Sequence, residues 1–466
     1  MILLTHGYFL CEDVREKAVM KPYPPLGILY ISGWLEQKGV SHEVFDTTFS
    51  SKAVFYQNLL QKKPSILGIY INLVTKLNVL EIIRFVKSTE ALSETTIILG
   101  GPDVRYNAEN LLEAGADFLV IGEGEETFYE LTQALTNHEP YDQIPGIAYG
   151  HSDCGVYITE GRVQRKDLDE LPFPNRKKID FTPYLEVWKK HHGKSAMTVS
   201  TMRGCPYSCH WCSRGVYGKS YRRRSAESVV AEIMQIQEEY NPDNLWFVDD
   251  VFTISHKWLQ SFANELKAKG VKPVYECITR ADRLNPEVIR LLKETGCFRV
   301  WIGAESGSQK IIDLMDRRVD VQTVREMINE ARRAGLEAGT FIMVGYPGET
   351  EEDIKETLRH LKASNPTFFT ITITYPIKGT ELYNEVESFS TVNQVDWESS
   401  TDRDIDFKRA FSKGYYQQAV QWIISEMAFY QRKSKNLGLR PSAMAKLRSV
   451  KARLGMWWYK QQEYNG

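Results

Sequence analysis

The sequence predicts an α/β protein: a doubly wound, Rossmann-like parallel sheet, then a partial (β/α)6, TIM-like barrel, then a helical C-terminal segment. Three observations carry this expectation. Short apolar runs alternate with segments of helical spacing over residues 1–135, and again over 196–395. Glycine turns close several of those runs, and from about residue 396 the strand-like runs stop. Alternation at this spacing is the pattern of βαβ units, whose parallel strands need helical crossovers. The chain therefore divides into 1–135, a connector over 136–195 marked by LPFPNRKKIDF, a barrel over 196–395, and a helical, basic region over 396–466.

In the first series MILLTHGYF reads as a strand and PLGILYISGWLEQKG as a helix stopping at Gly39. HEVFD, ILGIYIN, TIILGGP and DFLVIGEGE are further strands, separated by helices through VFYQNLLQKK, LNVLEIIRFVKS and ENLLEAGA and followed by ETFYELTQAL. In a doubly wound sheet ligands sit beyond the carboxyl ends of the strands. The turns at Gly100–Gly101 and Gly122–Gly124 fall on that edge. In the second series the strands are MTVSTM, NLWFVDD, PVYECITR, FRVWIGAE, EAGTFIMVG and FFTITITYP. Helices between them start near Ser225, Ser255, Asn285, Val321 and Thr350. Ser255 and Asn285 are good capping residues, and Pro286 suits the first helical position.

Composition excludes several classes. Apolar residues make up 42% and charged residues 25% of the 466 positions, a soluble globular balance. A formal net charge of −2 gives no general attraction to nucleic acid, so no nucleic-acid partner is expected. No stretch approaches the roughly 20 apolar residues that span a bilayer, and the start lacks a secretory pattern, so the expected location is cytoplasmic. The seven cysteines are an odd number, which argues against a disulfide framework. Cys11, Cys154, Cys277 and Cys297 are scattered singly and read as small buried apolar side chains.

Cys205, Cys209 and Cys212 do not fit that description. They lie within eight residues of TMRGCPYSCHWCSRG, directly after the first barrel strand, where a barrel places its chemistry. Three thiolates at this spacing can converge on one soft metal centre. Structural zinc takes four protein ligands, and no fourth Cys or His is paired nearby by a short spacing, His210 lying inside the loop. A 4Fe–4S cluster on three cysteines would leave one iron for a non-protein ligand; zinc is the alternative.

GCPYSCHWC after a barrel strand resembles the signature of the radical S-adenosylmethionine (SAM) enzymes, and the resemblance covers about residues 196 to 390. It implies that the free iron chelates the amino and carboxylate groups of SAM, which the reduced cluster cleaves to methionine and a 5′-deoxyadenosyl radical. It also implies SAM contacts at the strand ends: Trp211 near the adenine, Asp249 and Asp250 toward the amino group, and Arg280, whose guanidinium forks onto a carboxylate. Glu305 and Ser306 would serve amino or ribose groups, Gly345 and Gly348 would admit the adenine, and Tyr375 and Pro376 close the set. Taken one at a time, such strand-end charges read equally well as a solvated ion-pair rim.

YPPLGILYISGWLEQKG, IILGGPD and FLVIGEGEETFYEL resemble the cobalamin-binding domain ahead of the barrel in cobalamin-dependent radical SAM enzymes. The resemblance implies contacts from Pro25, Leu26, Gly27, Asn72, Thr75, Gly100, Gly101, Pro102, Gly122, Glu123, Gly124 and Glu125. The D-x-H-x-x-G motif that ligates cobalt in other corrinoid proteins is absent, as is common in this branch. The same absence is compatible with a domain that has lost its cofactor.

The family reading implies methylation of an unactivated carbon of a small-molecule, lipid-like or tetrapyrrole-like substrate, with ring formation or rearrangement as the alternative. A methylthiotransferase would carry three more clustered cysteines near the amino terminus, where this chain has Cys11 and, just beyond, Cys154. A non-catalytic iron–sulfur or corrinoid sensor is the rival from another class. Between Arg432 and Lys460 there are nine Lys or Arg and no acid, with Leu447, Val450 and Leu454 on one stripe and Trp457 and Trp458 at its end. The preferred reading packs that stripe on the barrel. The alternatives are a peripheral membrane helix and a dock for an acidic electron donor, flavodoxin or ferredoxin. The arginine run 222–224 could serve such a donor or an anionic substrate group.

Overall fold

The computed structural model describes residues 1–151, 155–388, 396–434 and 439–465, and Cys154 lies outside them. The first sheet has seven strands: β1 (Ile2–His6), β2 (His42–Phe45), β3 (Ile66–Tyr70), β4 (Thr96–Gly100), β5 (Phe118–Val120), β6 (Ile147–His151) and β7 (Gly155–Ile158). Their order is β2-β1-β3-β4-β5-β6-β7, parallel through β5, with β6 and β7 antiparallel. The connecting helices are α1 (Val14–Val19), α2 (Leu26–Gln37), α3 (Lys52–Lys62), α4 (Lys76–Ser88), α5 (Ala108–Glu113) and α6 (Gly124–Asn137), and α7 (Thr182–His192) follows the sheet.

Alternation along the strands builds a core on each face. Leu3, Leu67, Ile69, Ile97 and Leu99 enter one cluster with Val79, Ile82 and Ile83 of α4. Their neighbours Ile2, Leu4, Ile66 and Ile98 enter the other with Ile28 of α2 and Phe128 of α6. Each such side chain contributes roughly 1.5–3 kcal/mol by leaving water. This two-sided burial is why the central strands appear in the sequence as unbroken apolar runs.

Residues 136–195, expected to be a connector, supply β6, β7 and α7 instead. Their strands are short and half exposed, and so lack an apolar run.

A two-stranded antiparallel ribbon, β9 (Met202–Arg203) with β10 (Arg222–Arg223), brackets the cysteine loop; β8 (Ala196–Val199) precedes it. The barrel sheet is ordered β15-β14-β13-β12-β11-β8, with β11 (Asn244–Phe247), β12 (Tyr275–Arg280), β13 (Cys297–Glu305), β14 (Glu337–Val344) and β15 (Phe368–Ile373). Between the strands run α8 (Ala226–Glu239), α9 (His256–Lys269), α10 (Pro286–Glu294), α11 (Gln309–Leu314), α12 (Val321–Arg333) and α13 (Glu351–Ser364). Ser225, Ser255, Asn285 and Thr350 all cap helices, and Thr350 forms a reciprocal capping box with Asp353. Helices α14 (Glu381–Ser388), α15 (Lys413–Ser434) and α16 (Leu439–Asn465) complete the chain.

Two compact units emerge. One comprises Met1–Pro206, Ser213–Trp246 and the short segment ending at Arg403; the other comprises Tyr207–Cys212, the described residues between Phe247 and Gln394, and those from Asp404 on. Residues 396–403, expected to open the helical tail, belong to the first unit. Trp397 joins its core and donates from Nε1 to Asn107 Oδ1 (3.1 Å), and Lys76 Nζ donates to the Ser400 carbonyl (2.8 Å).

Three expectations are corrected. Cys11 is exposed, whereas Cys277 and Cys297 are buried. The apolar stripe of the tail does not pack inward: Leu447, Val450, Leu454, Trp457 and Trp458 are exposed, and α16 buries Ala445, Ser449, Ala452 and Met456. The arginine run is turned inward too. Arg222 pairs with Glu123, Arg223 donates to the Thr201 hydroxyl (2.7 Å), and Arg224 pairs with Glu232.

Glu232 is fully buried between Arg224 and Arg176, whose Nη2 lies 2.6 Å from Oε1. Burial pushes its carboxyl upward, but the two guanidinium groups outweigh that and hold it below the ordinary carboxylate range. A folded value below the unfolded one gives stability that is present above the unfolded pKa and is lost as pH falls through the folded one. Glu232→Ala should cost about 3–5 kcal/mol, since it strands two buried cations. It should also flatten the acid limb of the stability profile, measured by urea unfolding across pH.

Candidate functional site

Within the second unit the loop carrying Cys209 and Cys212 is tied down on both sides. The His210 N–H donates to the Met315 carbonyl (3.2 Å), and the His210 carbonyl accepts from Leu382 N–H (3.0 Å). Trp211 packs against the apolar cluster of Ile311, Met315, Tyr346, Leu382, Val386 and Phe407. Cys209 is buried, and two arginines reach its sulfur: Arg280 from Nη1 (3.8 Å) and Arg317 from Nη1 (3.7 Å). Arg280 is among the largest fully buried side chains of the protein. It is fixed by Asp282 (Nε to Oδ1, 2.8 Å), by the Arg317 carbonyl (2.7 Å) and by the Tyr207 ring beneath it (3.8 Å to the centroid).

Arg317 donates to the Gly303 carbonyl (3.2 Å), lies 3.6 Å from Glu305 and faces the Trp211 ring at 5.8 Å. Its buried Nε has no hydrogen-bond partner. Glu305 ends β13 with φ +63°, a left-handed conformation costly for a residue with a Cβ, at a register shift against β14. Burial pushes its carboxyl up, opposed by Arg317 and Arg280. Two buried cations are thus aimed at one sulfur, with Asp282 against Arg280 and Glu305 beside Arg317. Two guanidinium groups directed at a cysteine sulfur fit an anionic thiolate–metal group there. Among the described residues no three His, Cys, Asp or Glu side chains are already drawn together on one point.

Asp249 is buried just beyond β11 and Asp250 is exposed. Ser306 is buried, and its hydroxyl meets Thr357 Oγ1 (3.2 Å) and accepts from Ser308 N–H (3.1 Å). Tyr375 is half-buried and Pro376 buried after β15. Gly345 ends β14 at φ +81°, and a Cβ there would lie 3.2 Å from Arg409 Cδ. Its N–H donates to Glu349 Oε2 (2.5 Å), while Glu349 Oε1 has no hydrogen-bond partner.

In the first unit the expected residues divide. The order β2-β1-β3-β4-β5 reverses direction between β1 and β3, which is where such sheets hold ligands. At that edge Gly101 has φ +129°, and a Cβ on it would lie 2.2 Å from the Ile71 carbonyl, so only glycine fits. A Cβ on Gly215, just past the cysteine loop, would lie 2.5 Å from the Pro102 carbonyl. Gly100 ends β4, and Gly122 turns the chain at φ +97° ahead of Gly124, which starts α6. Pro25, Leu26 and Gly27 form the start of α2.

Asn72 and Thr75 are consumed locally. Asn72 Oδ1 accepts from Val74 and Thr75 N–H, and Thr75 Oγ1 accepts from Asn72 N–H, closing an Asx turn before α4. Glu123 and Glu125 are likewise engaged, by Arg203 at the entry to the cysteine loop (Nη1 to Glu123 Oε2, 2.8 Å; Nη1 to Glu125 Oε2, 3.2 Å). Burial raises the Glu125 carboxyl, but Arg203 holds it below its ordinary value. His6, at the end of β1, has both ring nitrogens occupied, by Asp46 (2.9 Å) and by Tyr8 N–H (3.1 Å). At this edge the expected polar side chains and the His6 imidazole are engaged within the protein, so a corrinoid held here would rely on backbone contacts.

The sequence reading missed Arg203, Arg317 and Glu349. Arg203 directly precedes Gly204–Cys205, a position that could have drawn attention; Arg317 and Glu349 carry no local signal.

Burial pushes the Glu349 carboxyl up to about 8. The folded protein therefore keeps a proton that the unfolded chain releases near pH 4.3. The associated stability is complete below that value and is lost as pH rises through about 8. The difference in thermal midpoint, Glu349→Gln minus wild type, should grow steadily between about pH 5 and pH 8. Parallel profiles would contradict the assignment.

Sequence models of two families match this chain: the B12 binding domain over residues 18–132 and the Radical SAM superfamily over residues 199–361. An uncharacterized methyltransferase of Pyrococcus horikoshii is 27% identical over 401 residues, covering 84% of this chain and 85% of that protein. The anaerobic magnesium-protoporphyrin IX monomethyl ester cyclase of Rubrivivax gelatinosus is 23% identical, over 78% of this chain and 66% of its own. Among solved structures, the cobalamin-dependent S-adenosylmethionine radical enzyme OxsB with aqua-cobalamin bound shares the fold, with a TM-score of 0.75 at 17% identity across 100% of this chain and 73% of OxsB. A B12 binding domain model thus precedes a Radical SAM superfamily model on one polypeptide, the domain order of the cobalamin-dependent radical SAM enzymes.

Proposed function

We propose that this enzyme transfers a methyl group to an unactivated carbon of a lipid-like or tetrapyrrole-like small molecule. The observation that carries the radical chemistry is the pair of buried guanidinium groups of Arg280 and Arg317 reaching the Cys209 sulfur. In this reading Cys205, Cys209 and Cys212 hold a 4Fe–4S cluster, and SAM is held by Trp211, Asp249, Asp250, Arg280, Glu305, Gly345, Tyr375 and Pro376. When bound, the cluster supplies the electron that cleaves SAM, and cobalamin supplies a carrier for the methyl group. Gly100, Gly101, Pro102, Gly122 and Gly124 admit the corrinoid, while Asn72, Thr75, Glu123 and Glu125 shape the turns around it. Arg280 and Arg317 donate to sulfur, a contact that favours the reduced, more negative state. Trp211, packed into its apolar cluster, keeps water from the loop. The electron comes from a flavodoxin or ferredoxin, and the setting is cytoplasmic.

Likeness to a methyltransferase favours methylation. Ring formation on the same cofactors is the second reading, favoured by the likeness to the cyclase. Product mass separates the two, because methylation adds one carbon.

Anaerobically prepared protein, expressed with added cobalamin, should carry near-stoichiometric corrinoid by mass spectrometry of the extract. It should form 5′-deoxyadenosine from SAM under strong reduction, and Cys→Ala at 205, 209 or 212 should abolish this. Corrinoid-free protein would remove the methylation reading, and intact SAM would favour the sensor. Arg317→Gln should lower the cluster potential by tens of millivolts, read by spectroelectrochemistry, because a cation and a sulfur hydrogen bond are lost together.

A further inference from the structure

Helix α16 is apolar on two opposite sides. Toward α15 it presents Ala445, Ser449, Ala452 and Met456, of which Ser449 is 2% and Ala452 3% exposed. That contact is close: a Cβ at Gly455 would lie 2.8 Å from the Gln418 side chain, and one at Gly414 2.4 Å from the Tyr459 ring. It is also polar at its core, where buried Glu426 receives Lys362 (2.8 Å), Lys446 (2.6 Å) and the Ser449 hydroxyl (2.5 Å). Lys460 closes onto Glu351 (2.7 Å). The packed side of α16 is therefore complete.

The opposite side is not. Leu447 is 65%, Leu454 62% and Trp457 61% exposed, with Met444, Val450 and Trp458 beside them. At 100° per residue these six follow one stripe over about four turns, centred opposite the packed face. Exposed Arg448 lies along one margin of the stripe and exposed Arg453 along the other, with exposed Lys451 between Trp458 and Met444. From Arg432 to Lys460 the chain holds nine Lys or Arg and no acid. Single exposed apolar residues need no explanation, but a continuous row of six large ones flanked by cations on both margins does.

We propose that this face of α16 lies on an anionic lipid surface, with Leu447, Val450, Leu454 and the two tryptophans at the acyl boundary and the flanking cations among the headgroups. The charge of this face selects the occupant. A second copy would bring one acid-free basic stripe against another, so self-association is opposed electrostatically. An acidic protein surface would meet the cations but not the straight row of Leu, Val and Trp. An anionic bilayer meets both, since apolar burial and cation attraction act together on an interfacial helix. The inference rests on α16 alone and not on the reaction. Loss of 5′-deoxyadenosine formation leaves it intact, and failure of vesicle binding leaves the reaction intact.

The test uses the full chain and sedimentation with vesicles of phosphatidylcholine alone, or of phosphatidylcholine with about one part in three phosphatidylglycerol. Binding is expected to the anionic vesicles only, weakening as salt is raised. Leu447→Ser with Leu454→Ser, and separately Arg448→Glu with Lys451→Glu, should each weaken binding about tenfold or more. Because these side chains are exposed, the thermal midpoint and 5′-deoxyadenosine formation should be unchanged, which separates lost binding from lost folding. No sedimentation with anionic vesicles, or equal sedimentation of both variants and wild type, would overturn the proposal. So would a concentration-dependent dimer that Leu447→Ser with Leu454→Ser dissolves, since the occupant would then be a second copy.

Discussion

Burying a guanidinium group is among the most expensive acts a fold performs, and the second unit does it twice beside one sulfur. Arg280 and Arg317 together bring two positive charges to Cys209, on a loop whose backbone is held by Met315 and Leu382. Asp282 answers one of them directly. Glu305 lies 3.6 Å from the other, and burial pushes its carboxyl up against the pull of both arginines. An uncompensated buried charge costs several kcal/mol. The arrangement makes sense if a negative group belongs on the cysteines, and the strained φ of Glu305 and the unpartnered Nε of Arg317 belong to the same polarised spot.

The first unit uses the same device with its charges balanced internally. Glu232 of α8 joins Arg176, ahead of α7, to Arg224, which follows the β10 ribbon strand. Arg203 of β9 joins the Glu123–Glu125 turn between β5 and α6. In both cases the guanidinium overcomes the burial of its partner carboxyl, the reverse of the outcome at Glu305. Balanced pairs fix where the cysteine loop begins and ends; the unbalanced pair lies where chemistry is expected. Removing a balancing acid would be destructive, whereas an apolar replacement of a whole pair need not be.

Glycine performs the complementary task at the edge of the first sheet. Gly101 has room for no side chain against Ile71, and Gly215 none against Pro102. Loops therefore pack closely at this edge, while the polar side chains that the sequence offers there, Asn72, Thr75, Glu123 and Glu125, are spent on holding turns. A large, flat ligand is suited to such a surface, because many backbone contacts can be made without a dedicated side chain.

The central parallel strands were legible because strands buried on both faces must be continuous apolar runs, as in ILGIY and TIILG, whereas the short, exposed β6 and β7 were not. The helix starts were legible because Ser225, Ser255, Asn285 and Thr350 satisfy free N–H groups locally. The cysteine trio was legible because its three thiols share one turn of chain. By itself, then, the sequence determined what short-range physics controls: element type, capping and ligand spacing. Only the tertiary structure decided the rest. Arg317 meets Cys209 across 108 positions, and Arg203 meets Glu125 across 78. In α16 two apolar sides competed for the interior, and the bulkier one stands outside. Helices as close as α15 and α16 accept Ala, Ser and Gly at their contact but not Leu and Trp, and that distance is a property of the assembled fold.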